Sequence, residues 1–322
     1  MNPILSISIP TFNRASFLQE ALDSVLLQHQ EGVEIVISDN GSTDNTQEII
    51  KHYADKHPFI RVCGFKENKG IDQNIVNVVK HAQGEYVQLF SDDDLFTKDL
   101  LKTILDEVVK TSPMAICLNH FSFKQRPQSS KPFLPNKRLS FENGRKFFSF
   151  CGLGFISSLI FKRKEALEYI DTVKMGKECA HLDIVTRLVL QKQGPFIYLG
   201  TGLIAGRAPE IPRYNMINSC IVFQKQLYSE LFVQKLICNA LYHTLLRKLI
   251  FSDLPRIIYR MYRNKIYDAE YIKPLMIEFN KHPIYKSAIV IYFYMNKRIV
   301  LFSGSFIKSI ISRKKLFKRR GI

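Results

Sequence analysis

The stretch EYVQLFSDDDL, residues 85–95, is the one whose reading decides the fold. Tyr86, Val87, Leu89 and Phe90 make the apolar run of a buried strand, and Asp92, Asp93 and Asp94 arrive where that strand should end. Open α/β sheets hold their ligands at the carboxyl ends of strands. Three adjacent carboxylates repel one another. A fold tolerates them on a solvated turn capping a helix from about residue 97, or around a cation that offsets their charge. Taken alone, the triplet leaves both readings open.

Upstream, residues 4–9 (ILSISI) read as a strand closed by Pro10, followed by the polar loop Thr11, Phe12, Asn13 and Arg14. Phe17, Leu18, Ala21, Leu22, Val25 and Leu26 then recur at helical spacing over residues 15–28. Residues 33–38 (VEIVIS) predict a second strand running into Asp39, Asn40, Gly41, Ser42, Thr43 and Asp44. Asp44 with Gln47 suits the cap of a helix over residues 45–54. A third strand over residues 60–65 leads through Glu67, Asn68, Lys69 and Gly70 into a helix over residues 71–81. Strand and helix thus alternate four times in about ninety residues, which predicts a mostly parallel, doubly wound α/β sheet with its loops gathered at one edge.

Downstream, helices are expected over residues 100–109, 163–173 and 181–191, and strands over 114–119, 155–161 and 196–199. Residues 125–138 are rich in Pro, Ser, Lys and Gln and read as a loop over or beside the site, and residues 200–215 as the loop that ends the α/β part. The expected division is a first domain over residues 1–219 and a helical, basic region over residues 220–322.

Charge supports that division. The chain of 322 residues has a formal charge of +17. Residues 1–219 hold 26 Lys+Arg against 24 Asp+Glu, and residues 220–322 hold 20 against 5. Between residues 279 and 322 there are eleven basic residues and no acid, interleaved with the apolar runs 289–294 and 299–302 and with an amphipathic helix expected over residues 305–317. Such a segment suits the interface of an anionic membrane. The six cysteines are scattered without metal-site or disulfide spacing, which fits a reducing cytoplasm. The apolar run at the N-terminus stops at Pro10, too short for a signal peptide or an anchor, and no run approaches the roughly 20 residues of a membrane span.

Four motifs in order carry a resemblance. Ser8, Ile9, Pro10, Thr11, Phe12, Asn13 and Arg14, then Ile37 to Asp44, then Asn68, Lys69 and Gly70, then Gly84, Glu85 and Tyr86 before the acids resemble a family 2 glycosyltransferase of the GT-A fold, over roughly residues 5–187. The resemblance implies that Pro10, Thr11, Asn13, Arg14, Asn40 and Gly70 line a nucleotide-sugar pocket and that Asp39 contacts the base. A turn acid bonded to its own backbone is the other reading of Asp39. The resemblance also implies that Asp92, Asp93 and Asp94 supply ligands for Mn2+ or Mg2+, Asp92 facing the nucleotide as well.

Three departures qualify the match. Against the common D-S-D-D pattern the first acid is replaced by Phe90, so the metal falls to some subset of the triplet. Asn74, Ile75 and Val76 stand where many relatives carry Ala-Arg-Asn. With the S-D-D-D form, this looks most like side-chain sugar transferases of bacterial O-antigen assembly such as abequosyltransferases, and it makes Asn74 a diphosphate or ribose contact or a packed helix residue. Counting back from Arg187, His181 falls where relatives place the acid of a late-helix motif, and Asp183 matches a second acid there. An acceptor hydroxyl must lose a proton as it attacks, and His181 and Asp183 can each take it, Asp183 being ionised at neutral pH. Their structural readings are a buried helix histidine and a first-turn acid.

With no Trp in the chain, the Q-x-x-R-W motif of processive synthases is absent. The expectation is a cytoplasmic enzyme, peripheral at the inner membrane face, moving one sugar from a nucleotide-sugar donor to a saccharide acceptor on a lipid, for O-antigen or capsule synthesis. The competing classes are a nucleotidyltransferase, against which stands the lack of a Gly-rich basic N-terminal loop, and a nucleic-acid-binding protein, for which no motif appears.

Overall fold

The structure is a computed structural model that describes residues 2–125, 127, 132–208, 217–263, 272–282, 285 and 289. The chain divides into two compact units, Met1–Pro209 and Glu210–Ile322.

The first unit opens with the alternation read from the sequence. Strand β1 (Leu5–Thr11) is followed by α1 (Ala15–Leu26), β2 (Val33–Asn40), α2 (Thr46–Lys56), β3 (Ile60–Phe65), α3 (Ile71–His81) and β4 (Tyr86–Leu89). Then come β5 (Leu95–Phe96), α4 (Leu100–Thr111), β6 (Ala115–Phe123), β7 (Arg138–Phe141), α5 (Gly144–Cys151), β8 (Leu159–Lys162), α6 (Arg163–Leu167), α7 (Ala180–Gln191) and β9 (Phe196–Arg207). The strands form one sheet in the order β3-β2-β1-β4-β8-β6-β9-β5, with β7 beside β9. Pairing is parallel from β3 to β4, antiparallel on both sides of β8, and parallel again between β6 and β9.

The near-continuous apolar character of β1 and β2 follows from their place in the middle of the sheet: every residue of both is buried. One core packs Leu5, Ile7, Ile9, Ile35 and Ile37 against Leu18, Leu22 and Val25 of α1. Each such side chain, fully removed from water, contributes roughly 1.5–3 kcal/mol. Helix α7 packs against α3 and α5. Gly144 permits the α5 contact, since a Cβ there would stand 1.7 Å from the Val189 carbonyl oxygen.

Two expectations change. The strand at Phe196 does not stop at residue 199 but runs to Arg207, because β6 also continues to Phe123 and the two re-pair after a register shift at Leu118/Asn119. The expected loop over residues 125–138 is followed by an unexpected strand, β7, which begins at Arg138 and pairs along the β9 edge. The helix after the acids starts at Leu100, where its spacing places it, and the short stretch Leu95 and Phe96 before it pairs with Ala205 and Ile204.

In the second unit, α8 (Phe223–Val233), α9 (Asn239–Lys248), α10 (Leu254–Arg263) and α11 (Ile272–Glu278) bury Leu227, Leu231, Leu246, Ile250, Leu254 and Ile258. Glu278 ties α11 to α8 through Lys225 and Gln226, both at 2.8 Å. Among the described residues no helix is long and apolar enough to cross a membrane. The expected interfacial helix over residues 305–317 and the apolar runs near it, all but Ile289, lie outside the described residues.

Candidate functional site

The four parallel strands end on one edge of the sheet, and a missing amide opens that edge. Phe90 N–H donates to the Ser8 carbonyl at 2.9 Å. The next rung of this parallel ladder needs an N–H from residue 10, and Pro10 has none, so β1 and β4 part beyond it. A crevice at a strand end of this kind is where open sheets bind ligands.

Side chains stitch the surrounding loops together. Thr11, buried at the end of β1, donates its hydroxyl to Asp92 Oδ2 at 2.7 Å and joins the first loop to the acids. Asn13, left-handed at φ 51°, donates its N–H to Ser42 Oγ at 2.9 Å, and its Oδ1 accepts from Thr43 N–H at 2.7 Å. Arg14 N–H donates to Thr46 Oγ1 at 2.9 Å, while its guanidinium stands 3.5 Å from Asp93 Oδ2. Asn40 donates to Asn68 Oδ1 and accepts from Lys69 N–H, both at 2.9 Å, tying the second loop to the third. Gly70, at φ 89°, turns that third loop into α3.

Asp39 accepts from the hydroxyl of Ser42 at 2.5 Å and from its N–H at 3.1 Å, the turn geometry that was one reading of it. It also forms part of the wall of a cavity of about 490 Å³ shared with Gln47, Lys51, Gly64, Phe65 and Lys66. Asn74 is less accommodating to the ligand role. It is buried, its Oδ1 accepts from Ser38 Oγ at 2.6 Å, and its amide donates to the carbonyls of Thr11 at 3.2 Å and Ser38 at 3.0 Å. Both amide protons are thereby used, and Asn74 serves to hold the ends of β1 and β2 rather than to offer donors to a diphosphate or ribose.

The three acids face different partners. Asp94 is buried, accepting from Ser157 Oγ at 2.5 Å and from Arg207 N–H at 2.8 Å. Asp93 accepts from Ser91 Oγ at 2.7 Å, and its carbonyl accepts from Arg207 Nε at 3.0 Å. Burial first and the Asp93 charge second push the Asp94 carboxyl up to about 8, with Asp92 adding to the rise and the Ser157 and Arg207 bonds opposing it. Burial and the crowding of the three carboxyls thus disfavour the charged form of Asp94. Among the described residues no three His, Cys, Asp or Glu side chains form a preformed metal cage. Mg2+ and Mn2+ do not need one, since they are commonly held by one or two carboxylates with phosphate and water completing the shell. Asp92 and Asp93, with hard oxygen donors beside Thr11 and Arg14, fit that mode. Asp94, with both oxygens engaged by the protein, buttresses them.

At the start of α7, Asp183 and Arg187 form a buried pair, Nε to Oδ1 at 2.6 Å, with side-chain exposures of 1% and 5%. His181 is half-buried, and its Nδ1 is shut off from water with no hydrogen-bond partner. Burial pushes the imidazole down to about 4, against a backbone bond at Gly154 and the charge of Asp72, so it is neutral at pH 7. A neutral imidazole offers a lone pair, whereas the Asp183 carboxylate is already committed to a guanidinium.

Ser157, Arg207 and Asp72 escaped the sequence reading. Ser157 sits inside an apolar run, Arg207 in a segment read as loop, and Asp72 looks like any first-turn acid.

A family model described as glycosyl transferase family 2 matches residues 6–168. An abequosyltransferase of Salmonella typhimurium is 38% identical over 109 residues, 32% of this chain and 33% of that protein. The chain spans less than half the length of the curated relatives it matches. In three dimensions it is similar to S. aureus TarS 1-349 in complex with UDP-GlcNAc, at a TM-score of 0.62 and 15% identity over 89% of this chain and 91% of that one. It is similar also to a mannosyltransferase from Pyrobaculum calidifontis in complex with GDP-Man and Mn2+, at a TM-score of 0.54 and 15% identity over 92% and 89%.

Proposed function

The chain belongs to glycosyl transferase family 2, and from that premise we propose that it moves a single sugar from a nucleotide-sugar donor to a saccharide acceptor carried on a lipid, in the assembly of a bacterial surface polysaccharide. The observation that carries this reading is the Thr11 to Asp92 bond, which brings the first loop and the acids to one point on the opened strand edge. The nucleoside lies along the Thr11, Asn13 and Asp39 side. Its diphosphate reaches toward Arg14 and the acids, where Asp92 and Asp93 would hold Mn2+ or Mg2+. When bound, the cation neutralises charge on the leaving diphosphate. Arg14 adds a second positive charge there, and the nucleophilic hydroxyl of the acceptor gives its proton to the neutral imidazole of His181.

The abequosyltransferase likeness favours an O-antigen or capsule acceptor. The lipid-borne acceptor agrees with a basic second unit, where exposed Phe251, Val233 and Ile277 accompany exposed Arg247, Lys248 and Arg256. Together with the eleven basic residues after 278, these would hold the enzyme on an anionic inner membrane face.

The test is nucleoside diphosphate release from a panel of UDP-, GDP-, CDP- and dTDP-sugars. Release from at least one donor is expected with Mn2+ and not in excess EDTA, and Asp92→Ala should abolish it. Full turnover in EDTA would sink the metal assignment, and no release with any donor and lipid-linked acceptor extract would sink the activity. Co-sedimentation with anionic but not neutral vesicles checks the membrane role.

A further inference from the structure

Asp72 lies in the first turn of α3, two residues past Gly70, and is 3% exposed. Its Oδ2 accepts from the N–H groups of Lys177 and Glu178, both at 2.8 Å, and its Oδ1 accepts from Ala180 N–H at 2.9 Å. A helix start leaves such amides without intrahelical partners, and at α7 the N-cap Cys179 supplies no side-chain cap. The same turn holds Gly176 at φ 77° and Glu178 at φ 60°. A non-glycine residue keeps that left-handed backbone where neighbours over-determine it. Three charge-assisted bonds and the positive end of the helix do so here.

We propose that Asp72 is a positioning residue of the transfer site, clamping the turn over residues 177–180 and so fixing His181 relative to the loop that ends at Gly70. This rests on the reading of His181 as proton acceptor. The two ends of the clamp are more than a hundred residues apart in sequence, so chain continuity does little to set their distance. A single side chain reaches from the third loop, which lines the nucleotide crevice, to the residue preceding His181. Displacing a reacting group by about 1 Å can cost about 10²-fold in rate, which makes such a clamp consequential for turnover. A carboxylate is required: an amide in its place has one acceptor oxygen for three N–H groups and no charge.

The experiment compares the full chain with Asp72→Asn, His181→Ala and the double variant. Three readouts are taken: hydrogen exchange of residues 176–184, dissociation constants for UDP and GDP with Mn2+, and kcat for diphosphate release. Asp72→Asn is expected to speed exchange in that segment, to leave the nucleotide constants within about twofold, and to lower kcat by about 10²-fold. In the double variant kcat should fall less than about threefold below the lower single, because both changes remove one function. Unchanged kcat in Asp72→Asn overturns the proposal, as does a double variant whose loss is the product of the singles. If His181→Ala keeps full kcat while Asp72→Asn loses it, the base assignment fails and the clamp on α7 stands. Should Asp72→Asn unfold, Asp72→Glu keeps the charge with its oxygens displaced by one methylene; a kcat loss without nucleotide loss supports the proposal, and full kcat overturns it.

Discussion

Asp183→Asn is the substitution that a base assignment would suggest, and the structure says that it acts first on stability. Asp183 and Arg187 sit one helical turn apart in α7 with 1% and 5% of their side chains exposed and 2.6 Å between Nε and Oδ1. The variant keeps the shape of the side chain but leaves a guanidinium, which does not lose its proton, buried without this counter-charge. Breaking such a pair from one side costs about 3–5 kcal/mol. At roughly 2–4 °C per kcal/mol for a unit of this size, the melting temperature should fall by about 6–20 °C. Thermal unfolding by circular dichroism at pH 7 measures it. Asp183→Leu combined with Arg187→Met removes both charges and should recover part of the loss. A melting temperature within about 2 °C of the parent, together with abolished turnover, would refute the argument and return Asp183 to the role of base.

Other outcomes follow from single contacts. Thr11→Val removes the donor to Asp92 and should weaken Mn2+-dependent nucleotide binding by about tenfold in calorimetry, with metal-free binding changed less. His120, stacked between Phe133 and Phe155 and pushed down to about 4 by burial, and His181, also at about 4, are both neutral in the folded chain. Between that value and the ordinary 6.5 the unfolded chain binds the extra protons, so stability should fall as pH drops through that window, by at most about 3 kcal/mol per histidine. Urea midpoints at pH 7 and pH 5 read it, and His120→Phe should flatten the dependence. Gly144→Ala drives a methyl into the Val189 carbonyl and should cost about 1–3 kcal/mol in denaturant unfolding.

The alternating half of the fold was legible because β1, β2 and β4 are buried on both faces, the edge strand β3 still carries a β-like run, and the helices show apolar stripes, as α3 does. The ends of β6 and β9 were not. Their continuation depends on a partner strand far away in sequence and on a register shift, neither of which leaves a local pattern. Thr11, Asn13, Arg14, Asn40 and the acids can be singled out as candidates in the sequence because polar residues at a strand end stand out against an apolar run. Asn74 stayed open between a ligand contact and a packed helix residue because a sequence does not tell which donors the neighbouring backbone will consume. Asp183 is ambiguous in the same way, since the spacing to Arg187 reads equally as a catalytic motif and as an i,i+4 ion pair.

The cross-loop bonds of Asn13, Arg14 and Asn40 have a thermodynamic consequence of their own. Three loops joined through side-chain to backbone bonds have lost most of their freedom before any nucleotide arrives, so the ordering entropy is settled at folding instead of at binding. Nucleotide association should then be a single diffusional phase with little heat-capacity change beyond that of the buried base, and its rate should not saturate with concentration. Loosening one stitch, as in Asn13→Ala, would transfer that entropy to the binding step. The loss would show in the entropy of association while the enthalpy of the remaining contacts stays in place.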